Sequence, residues 1–282
     1  MKKILAIIGL AAATLAGAQA QTLVYSNSGS LTGLITTVTA GDGGASISSG
    51  TVVLTNDASG TANASGRVYL NGATSSFLSP YTQVLNNAPG LVTWNFNTQQ
   101  IRTDPSGFDG GNYGVAFVLG STSSDITTGN GYAVVLGGSG STDPVRLVSF
   151  TGGLELNSNL TDVISATSPL NDIGNSYMSI RVTFDTTTDT WTLLGRDDGA
   201  SSFTDPTTGT LSSLGSANNS TFVASTLTSF GMLWNYSTTA SQTAQFDNIS
   251  IAVVPEPQTW VLMGIGGAFM LWNLRRRRGL QG

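Results

Sequence analysis

Apolar and polar residues alternate along the middle of the chain with the period of a β-strand. Over residues 177–185 the alternation places four apolar side chains on one face, Met178, Ile180, Val182 and Phe184. We expect this face to be buried in a core. The turn-forming sequence at 186–189 then leads into a second apolar segment at 190–194, so the two segments predict a β-hairpin.

Eight further segments have the composition of short strands. Clusters of Gly, Asn, Asp, Ser and Thr separate them, and no convincing amphipathic helix longer than a turn or two interrupts them. We expect two antiparallel sheets packed as a sandwich, because a parallel sheet needs helical crossovers. The part before Leu91 is weaker in pattern, and we expect it to form edge strands of the same domain. The eight segments are 51–55, 67–70, 91–97, 113–119, 132–136, 145–150, 230–236 and 245–254.

The C-terminal part has three features that a soluble fold does not need. Pro255, Glu256 and Pro257 come first and predict that the preceding strand ends at Val254. An apolar segment at 259–274 predicts a transmembrane helix, and four arginines at 275–278 predict that its end stays on the cytoplasmic side. The apolar segment is shorter than the roughly 20 residues that span a membrane comfortably, which favours transit over permanent anchoring.

This tail resembles the PEP-CTERM sorting signal of Gram-negative bacteria. The resemblance rests on Pro255, Glu256 and Pro257, on the short apolar helix, and on the arginine cluster Arg275, Arg276, Arg277 and Arg278. It implies recognition by an exosortase, which cuts near the motif and releases the body of the protein, residues 21–254, to the cell surface or to an extracellular polysaccharide matrix. An ordinary C-terminal membrane anchor is the alternative.

The N-terminal part predicts a signal peptide. Two lysines precede an apolar run at 4–15, and Ala18 and Ala20 form the small-x-small pattern that signal peptidase cuts, so the mature chain is expected to begin at Gln21. We therefore divide the chain into a signal peptide at 1–20, a β-sandwich domain at 21–254 and a sorting tail at 255–282.

Composition limits the chemistry of the body. The body contains five arginines, fourteen aspartates and Glu155 but no lysine, so its net charge is −10. This charge disfavours nucleic acid as a partner and favours the binding of divalent cations. The chain has no cysteine and no histidine. Disulfides, thiolate or imidazole metal sites and the Cys/His and Ser/His catalytic pairs are therefore excluded.

The strand patterns of the body resemble the concanavalin A-like (LamG-like) jelly-roll domains of bacterial surface proteins. The resemblance covers residues 91–254 and implies a curved sandwich whose relatives commonly bind glycans and sometimes hydrolyse them. The segments that carry it are 91–97, 107–109, 113–119, 131–137, 145–150, 181–198 and 246–251.

Glycan hydrolysis needs two carboxylates across a cleft. The hydrolases of this family carry Glu-x-Asp-x-x-Glu on a strand, whereas the only glutamate of the body is Glu155, in Gly-Gly-Leu-Glu-Leu. An aspartate pair is conceivable but has no distinguishing spacing. We therefore expect a protein that is not an enzyme.

Two candidate binding sites remain. Asp104, Asp109 and Asn112 fall in a glycine-rich loop whose oxygens suit Ca²⁺, although Asp and Asn also serve as simple turn formers. For a sugar, aromatic and planar polar side chains are the usual contacts, which points to Trp94 and Tyr113 with Arg102, Asn112 and Arg146. Core packing is the alternative for each tryptophan.

Together these observations predict an exported, non-catalytic β-sandwich protein at the cell surface or in the extracellular matrix. Signal peptidase and exosortase are its expected partners during export, and the cytoplasmic membrane holds it transiently. Extracellular polysaccharide is the expected ligand, with Ca²⁺ as the candidate cofactor. A structural or adhesive matrix protein without a sugar site is the main alternative, and a glycoside hydrolase is the distant one.

Overall fold

The computed structural model describes residues 21–27, 29–39, 42–60, 65–138, 142–238 and 240–255. In these residues the secondary structure is almost entirely β, with three short 3₁₀ helices at Thr74–Ser76, Leu85–Asn87 and Asn157–Asn159. The strands are β1 (Thr22–Asn27), β2 (Leu34–Val38), β3 (Gly44–Ser48), β4 (Thr51–Thr55), β5 (Gly66–Ala73), β6 (Gly90–Gln100), β7 (Gly114–Ser121), β8 (Gly131–Leu136), β9 (Val145–Phe150), β10 (Leu160–Ser165), β11 (Tyr177–Asp185), β12 (Thr190–Gly199), β13 (Ser212–Asn218), β14 (Ser229–Tyr236) and β15 (Thr243–Pro255).

The strands form two antiparallel sheets, as the sequence predicts. One sheet has eight strands in the order β13-β12-β11-β6-β15-β4-β3, with β1 paired to β15. The other has seven strands in the order β10-β9-β8-β7-β14-β5-β2. All the paired strands run antiparallel, including the predicted hairpin of β11 and β12. The chain crosses between the sheets repeatedly, which is the jelly-roll arrangement.

One apolar core fills the space between the two sheets. The predicted apolar face of β11 lies in it, since Met178, Ile180, Val182 and Phe184 are fully buried. The facing sheet contributes alternate residues of its own strands, among them Phe117 on β7, whose ring stacks on that of Phe96 at 4.0 Å between centroids. With no cysteine in the chain, this burial and the strand hydrogen bonds stabilise the domain.

All ten predicted strands are present, but five strands were missed and two expectations were wrong in detail. The missed strands are β1, β2, β3, β10 and β13. Each is short and rich in Ser, Thr or Gly, so its apolar alternation is weak. The part before Leu91 does not supply edge strands alone, because β5 lies between β14 and β2. The last strand ends at Pro255 and not at Val254, since a proline is tolerated where a strand ends.

The outer face of the eight-stranded sheet carries a buried polar network. The carboxylate of Asp198 on β12 is fully buried, and it accepts hydrogen bonds from Arg196 Nε (2.6 Å) and from Ser179 Oγ (2.6 Å). The connection between β12 and β13 folds back over this network, where the backbone nitrogen of Thr204 donates to Asp198 (3.1 Å) and its carbonyl accepts from Asn97 Nδ2 (3.0 Å). The loop therefore covers this part of the face.

The predicted signal peptide at 1–20 and the apolar segment at 259–274 lie outside the described residues. Within the ranges that the structure describes, no helix is long and apolar enough to cross a membrane. The division of the chain into signal peptide, sandwich and sorting tail stays a prediction at its exact boundaries.

Candidate functional site

Loops cover much of the outer face of the seven-stranded sheet and enclose a second apolar cluster. Three loop side chains, Phe108, Ile126 and Leu154, are fully buried against this face. These contacts hold the loops to the sheet, so that side chains on the loops rest on a rigid support. The strand residues beneath them are Tyr69, Ala116, Val118, Ala133, Val135, Val148, Phe150 and Leu233.

The loop between β6 and β7 contains most of the predicted site residues and is held by asparagine side chains. Asn235, on β14, donates from its amide to the backbone oxygens of Gly107 (3.1 Å) and Asn112 (2.9 Å). Asn112 donates from Nδ2 to the backbone oxygen of Ser106 (3.2 Å), and Asn157 donates to the same oxygen (3.1 Å). The amide nitrogen of Asn112 therefore stabilises the loop, which is the ordinary role of asparagine in a turn.

The two predicted carboxylate ligands have different partners. Asp109 accepts a hydrogen bond at Oδ1 from the backbone nitrogen of Asn157 (2.9 Å). Asp104 interacts instead with Asp143, which comes from the connection between β8 and β9. Among the described residues, no group of three or more Asp, Glu, His or Cys side chains is arranged to hold a metal ion. A calcium site at Asp104, Asp109 and Asn112 stays a prediction.

Asp143 is the most perturbed carboxyl group near this loop. It is only 3% exposed, and its Oδ1 has no hydrogen-bond partner within the described part of the chain. Burial raises the pKa of Asp143 to about 6, and the charge and hydrogen bond of Asp104 and the charge of Asp172 act in the same direction. Asp143 therefore takes up a proton in mildly acidic solution.

The predicted arginines have partners of their own. The guanidinium carbon of Arg102 lies 3.9 Å from the ring centroid of Tyr113, a cation–π contact between two half-buried side chains. Arg146 forms an ion pair with Asp162, with 2.8 Å between Nη1 and Oδ1. Arg102 and Tyr113 are thus in contact, whereas the charge of Arg146 is neutralised by Asp162.

Trp94 is not available as a sugar platform, which corrects the sequence prediction. Its side chain is 0% exposed and stacks on Trp191, with ring centroids 5.9 Å apart and planes 22° apart. Strand alternation explains this, because Trp94 shares the inward face of β6 with Val92 and Phe96. Trp191 and Trp234 are buried in the same core, so packing accounts for all three.

A groove of about 490 Å³ opens at the end of the seven-stranded sheet where β14 begins. Its volume falls within the range of small-molecule sites. We call it the Asn71 groove. The residues that line it carry neither a charge nor a carboxylate, and they are Gly33, Ile35, Asn71, Ala73, Thr122, Ser123, Ser124, Thr228 and Ser229.

Asn71 is the central polar side chain of this groove. It lies on β5, between Ile35 of β2 and Gly231 of β14, on the outer face of the sheet. Asn71 is 6% exposed, yet its side-chain amide forms no hydrogen bond with any of the described residues. A nearly buried amide that faces a groove without a partner has hydrogen-bonding capacity left for a ligand. Ile35, 65% exposed, adds an apolar surface beside it.

Hydrogen bonds fix the opposite wall of the groove. Thr228 donates from Oγ1 to the backbone oxygen of Thr122 (3.2 Å), and Ser229 donates to the backbone oxygen of Ser123. The hydroxyl of Ser123 accepts from the backbone nitrogen of Asp125 (3.1 Å) and retains its proton for donation. These hydrogen bonds therefore hold the wall in place without a ligand.

Asp125 anchors this wall from behind. Its Oδ1 accepts hydrogen bonds from the hydroxyl (2.6 Å) and backbone nitrogen (3.0 Å) of Thr127 and from the hydroxyl of Tyr69 (3.1 Å). Burial raises the pKa of Asp125, but the hydrogen bonds from Thr127 and Tyr69 outweigh this effect, so that the pKa is lowered overall. The anchor stays ionised at neutral pH.

The Asn71 groove is not predicted from the sequence, because its residues come from four distant segments with weak patterns. One signal was present. Val68 and Leu70 are apolar neighbours on one face of β5, whereas Tyr69 and Asn71 alternate with them on the other. The alternation therefore places the amide of Asn71 on the outer face of the strand, but it does not show which other segments lie around that amide.

Known proteins resemble this chain in two ways, through the C-terminal motif and through the fold of the body. The PEP-CTERM protein-sorting motif matches residues 253–278. It indicates an exported protein that exosortase processes at the cell envelope. No curated protein is significantly similar to the chain in sequence.

Several solved lectin structures have a similar fold. The Lotus tetragonolobus seed lectin (isoform) superposes with a TM-score of 0.51 at 11% identity, over 83% of this chain and all of that lectin. Lectin UEA-II, in complex with galactose, superposes with a TM-score of 0.50 at 12% identity, over 84% of this chain and 99% of the lectin. The luminal domain of VIP36 in a Ca²⁺- and Man3GlcNAc-bound form gives 0.49 at 8% identity, over 82% and 90% of the two chains.

Identities this low show the fold alone. The chain is an exported protein that carries a PEP-CTERM sorting motif after a body with the concanavalin A-like jelly-roll fold of the legume lectins.

Proposed function

We propose that the body of this protein binds a neutral saccharide in the Asn71 groove and thereby attaches to extracellular polysaccharide. The observation that carries the proposal is the side-chain amide of Asn71, which is 6% exposed, faces the groove and has no hydrogen-bond partner among the described residues. Because the amide lines an open groove, water can satisfy it in the free protein, and the hydroxyls of a ligand can take the place of that water.

The lining of the groove fits a sugar in three ways. The amide of Asn71 offers a donor and an acceptor, which match neighbouring hydroxyls of a sugar ring. Ser123 and Ser124 offer hydroxyls on the opposite wall, and Ile35 offers apolar surface to the C–H face of the ring. The groove residues carry no charge, and the body as a whole is acidic, so a neutral saccharide is favoured over a uronic acid polymer.

The fold supports the same conclusion without locating the site. The two lectins with TM-scores of 0.50 or more are aligned over nearly their whole length, and one of them is in complex with galactose. The groove also has no carboxylate among its lining residues, so the pair of acids that glycoside hydrolysis requires is missing there. We therefore propose binding without catalysis.

A glycan array with the purified body tests the proposal. Wild-type protein is expected to bind neutral glycans, and Asn71→Leu is expected to weaken that binding about tenfold or more, as the loss of 1–3 kcal/mol of hydrogen bonding implies. Asn86→Leu is the matched control, because Asn86 is an exposed asparagine that does not line the groove. Both variants are first checked for unchanged melting.

Two results would contradict the proposal. Equal binding by wild type and Asn71→Leu would place any sugar site elsewhere on the molecule. Absence of binding to every glycan, with and without added Ca²⁺, would favour the structural or adhesive alternative. Repeating the array after EDTA treatment also shows whether calcium, the proposed cofactor, contributes to binding.

A further inference from the structure

A second groove lies on the outer face of the eight-stranded sheet, whereas the Asn71 groove lies on the seven-stranded one. Its volume is about 140 Å³. That is the space of roughly four or five waters at about 30 Å³ each, so the groove accommodates one small chemical group. We call it the Asn95 groove. The residues that line it carry no charge, and they are Gln21, Leu23, Asn95, Thr207, Ser250 and Ala252.

Arg181 lies at the edge of this groove. It stands opposite Asn95 in the pairing of β11 with β6, and it donates from Nε to Asn95 Oδ1 (2.7 Å). Its Nη2 donates to the backbone oxygen of Pro206 (2.9 Å), the residue before Thr207 of the groove. Both acceptors are neutral, so these hydrogen bonds orient the guanidinium without cancelling its charge.

The charge of Arg181 has no counter-ion among the described residues. Three of the other four arginines of the body form an ion pair with a carboxylate, and the fourth, Arg102, lies over an aromatic ring. Nη1 of Arg181 forms no hydrogen bond with the described residues and is not buried, so solvent reaches it. The side chain of Arg181 therefore offers a fixed positive charge to an anion from outside.

The acid nearest to this guanidinium in the covering loop is held by its own turn. Asp205 is exposed, and its Oδ1 accepts from the backbone nitrogen and from the hydroxyl of Thr207 (2.7 Å each). It forms no ion pair with any described arginine. The place of a counter-ion beside Arg181 is thus not taken by this carboxylate.

The groove adds hydroxyls and apolar surface beside the charge. Ser250 accepts at Oγ from Asn95 Nδ2 (3.3 Å) and retains its proton for donation. The hydroxyl of Thr207 is exposed and retains a lone pair as an acceptor. Leu23, 53% exposed, adds apolar surface. An acid group, hydroxyls and an apolar C–H face occur together in a uronic acid.

We propose that the Asn95 groove binds a uronic acid unit of a polysaccharide, with the carboxylate of the sugar on Arg181. The planar guanidinium matches a carboxylate, and Ser250 and Thr207 are placed for the ring hydroxyls. The net charge of −10 repels a continuous polyanion, so the acidic unit is expected to stand singly among neutral sugars. This inference goes beyond the neutral site at Asn71 and does not depend on it.

Titration of the body with sodium glucuronate, followed by ligand-observed NMR, tests the inference. The body is used because it holds both sheets and their core, and because the arginines of the tail would attract an acid themselves. The methyl ester of glucuronate, which lacks the charge, and acetate, which lacks the ring, are the matched ligands. Glucuronate is expected to bind about tenfold or more tightly than either, and added salt should weaken this preference. Equal affinity for glucuronate and its ester or acetate, or no binding of glucuronate, would overturn the inference.

Variants on both sides of the groove locate the site. Arg181→Met should weaken glucuronate binding about tenfold or more, and Arg181→Lys, which keeps the charge, should restore part of it. Wild-type affinity in Arg181→Met would overturn the inference. If Arg181→Met melts at a lower temperature, the Ser250 pair decides. Ser250→Asp can still accept from Asn95 but repels an acid, so it should bind glucuronate more weakly than its uncharged counterpart Ser250→Asn. Equal glucuronate binding by these two variants would place the acid elsewhere on the molecule and overturn the inference.

Discussion

Replacing Phe184 with alanine tests the sandwich where the sequence and the structure agree most closely. Phe184 is 0% exposed and lies on the inward face of β11, and its ring centroid is 4.7 Å from that of Trp191. Strands β6 and β12 flank β11, so that Val92 and Trp191 are its direct neighbours. These neighbours belong to paired strands and cannot collapse into the space that the ring leaves.

Removal of a buried phenylalanine with little relaxation costs about 3–5 kcal/mol, and the aromatic contact with Trp191 places the expected value in the upper part of that range. A domain of this kind is stable by about 5–15 kcal/mol, so the loss is a large fraction of the total. Urea unfolding followed by tryptophan fluorescence measures it, because the tryptophan next to Phe184 is itself in the core. The midpoint should fall while the slope of unfolding free energy against urea stays constant.

Thr183→Ala is the control for this prediction. Thr183 lies one residue away on the opposite face of β11, half-exposed, and its side chain forms no hydrogen bond with the described residues. Its replacement should change the unfolding free energy by no more than about 0.5 kcal/mol. Similar losses at the two positions, or a loss below about 1 kcal/mol at Phe184, would refute the assigned strand register.

Three further predictions concern the carboxylates. Asp198→Ala should lower the unfolding free energy by about 3 kcal/mol in urea, because it removes the buried carboxylate that neutralises Arg196 and accepts from Ser179 and Thr204. An unchanged value would show that the carboxylate adds nothing to stability. Burial raises the pKa of Asp143 to about 6, so the contribution of this group to stability is fully present below pH 4 and is lost as the pH rises through 6. Between pH 4 and 7.5 the unfolding free energy of wild type should therefore fall by up to about 3 kcal/mol relative to that of Asp143→Asn. Parallel pH profiles of the two proteins would contradict this. For the predicted calcium site, Ca²⁺ added after EDTA treatment should raise the melting temperature of wild type but not of Asp109→Asn. The variant keeps an acceptor for the backbone N–H of Asn157 but removes the charge. A wild-type melting temperature that calcium leaves unchanged would show that Asp109 does not bind the ion.

The sequence by itself determined the strands whose apolar alternation is strong. Residues 51–55, 145–150 and 177–185 were predicted with the bounds that the structure has, because a period of two fixes which side chains face the core. It also determined the sorting motif, whose three parts follow one another in the chain. Both are local properties, readable from neighbouring residues.

Only the tertiary structure decided where the remaining groups lie. The alternation that buries Trp94 was visible in β6, but the side on which the core lies depends on which face of the sheet packs against the other sheet. Asp104 meets Asp143 and not Asp109, because two connections between strands come together at the edge of the sandwich. The Asn71 groove combines residues from β2, β5, β14 and the loop after β7, which lie far apart in the sequence. A site of this kind arises from the strand order of the sheet, and strand order depends on long-range pairing that no local pattern encodes.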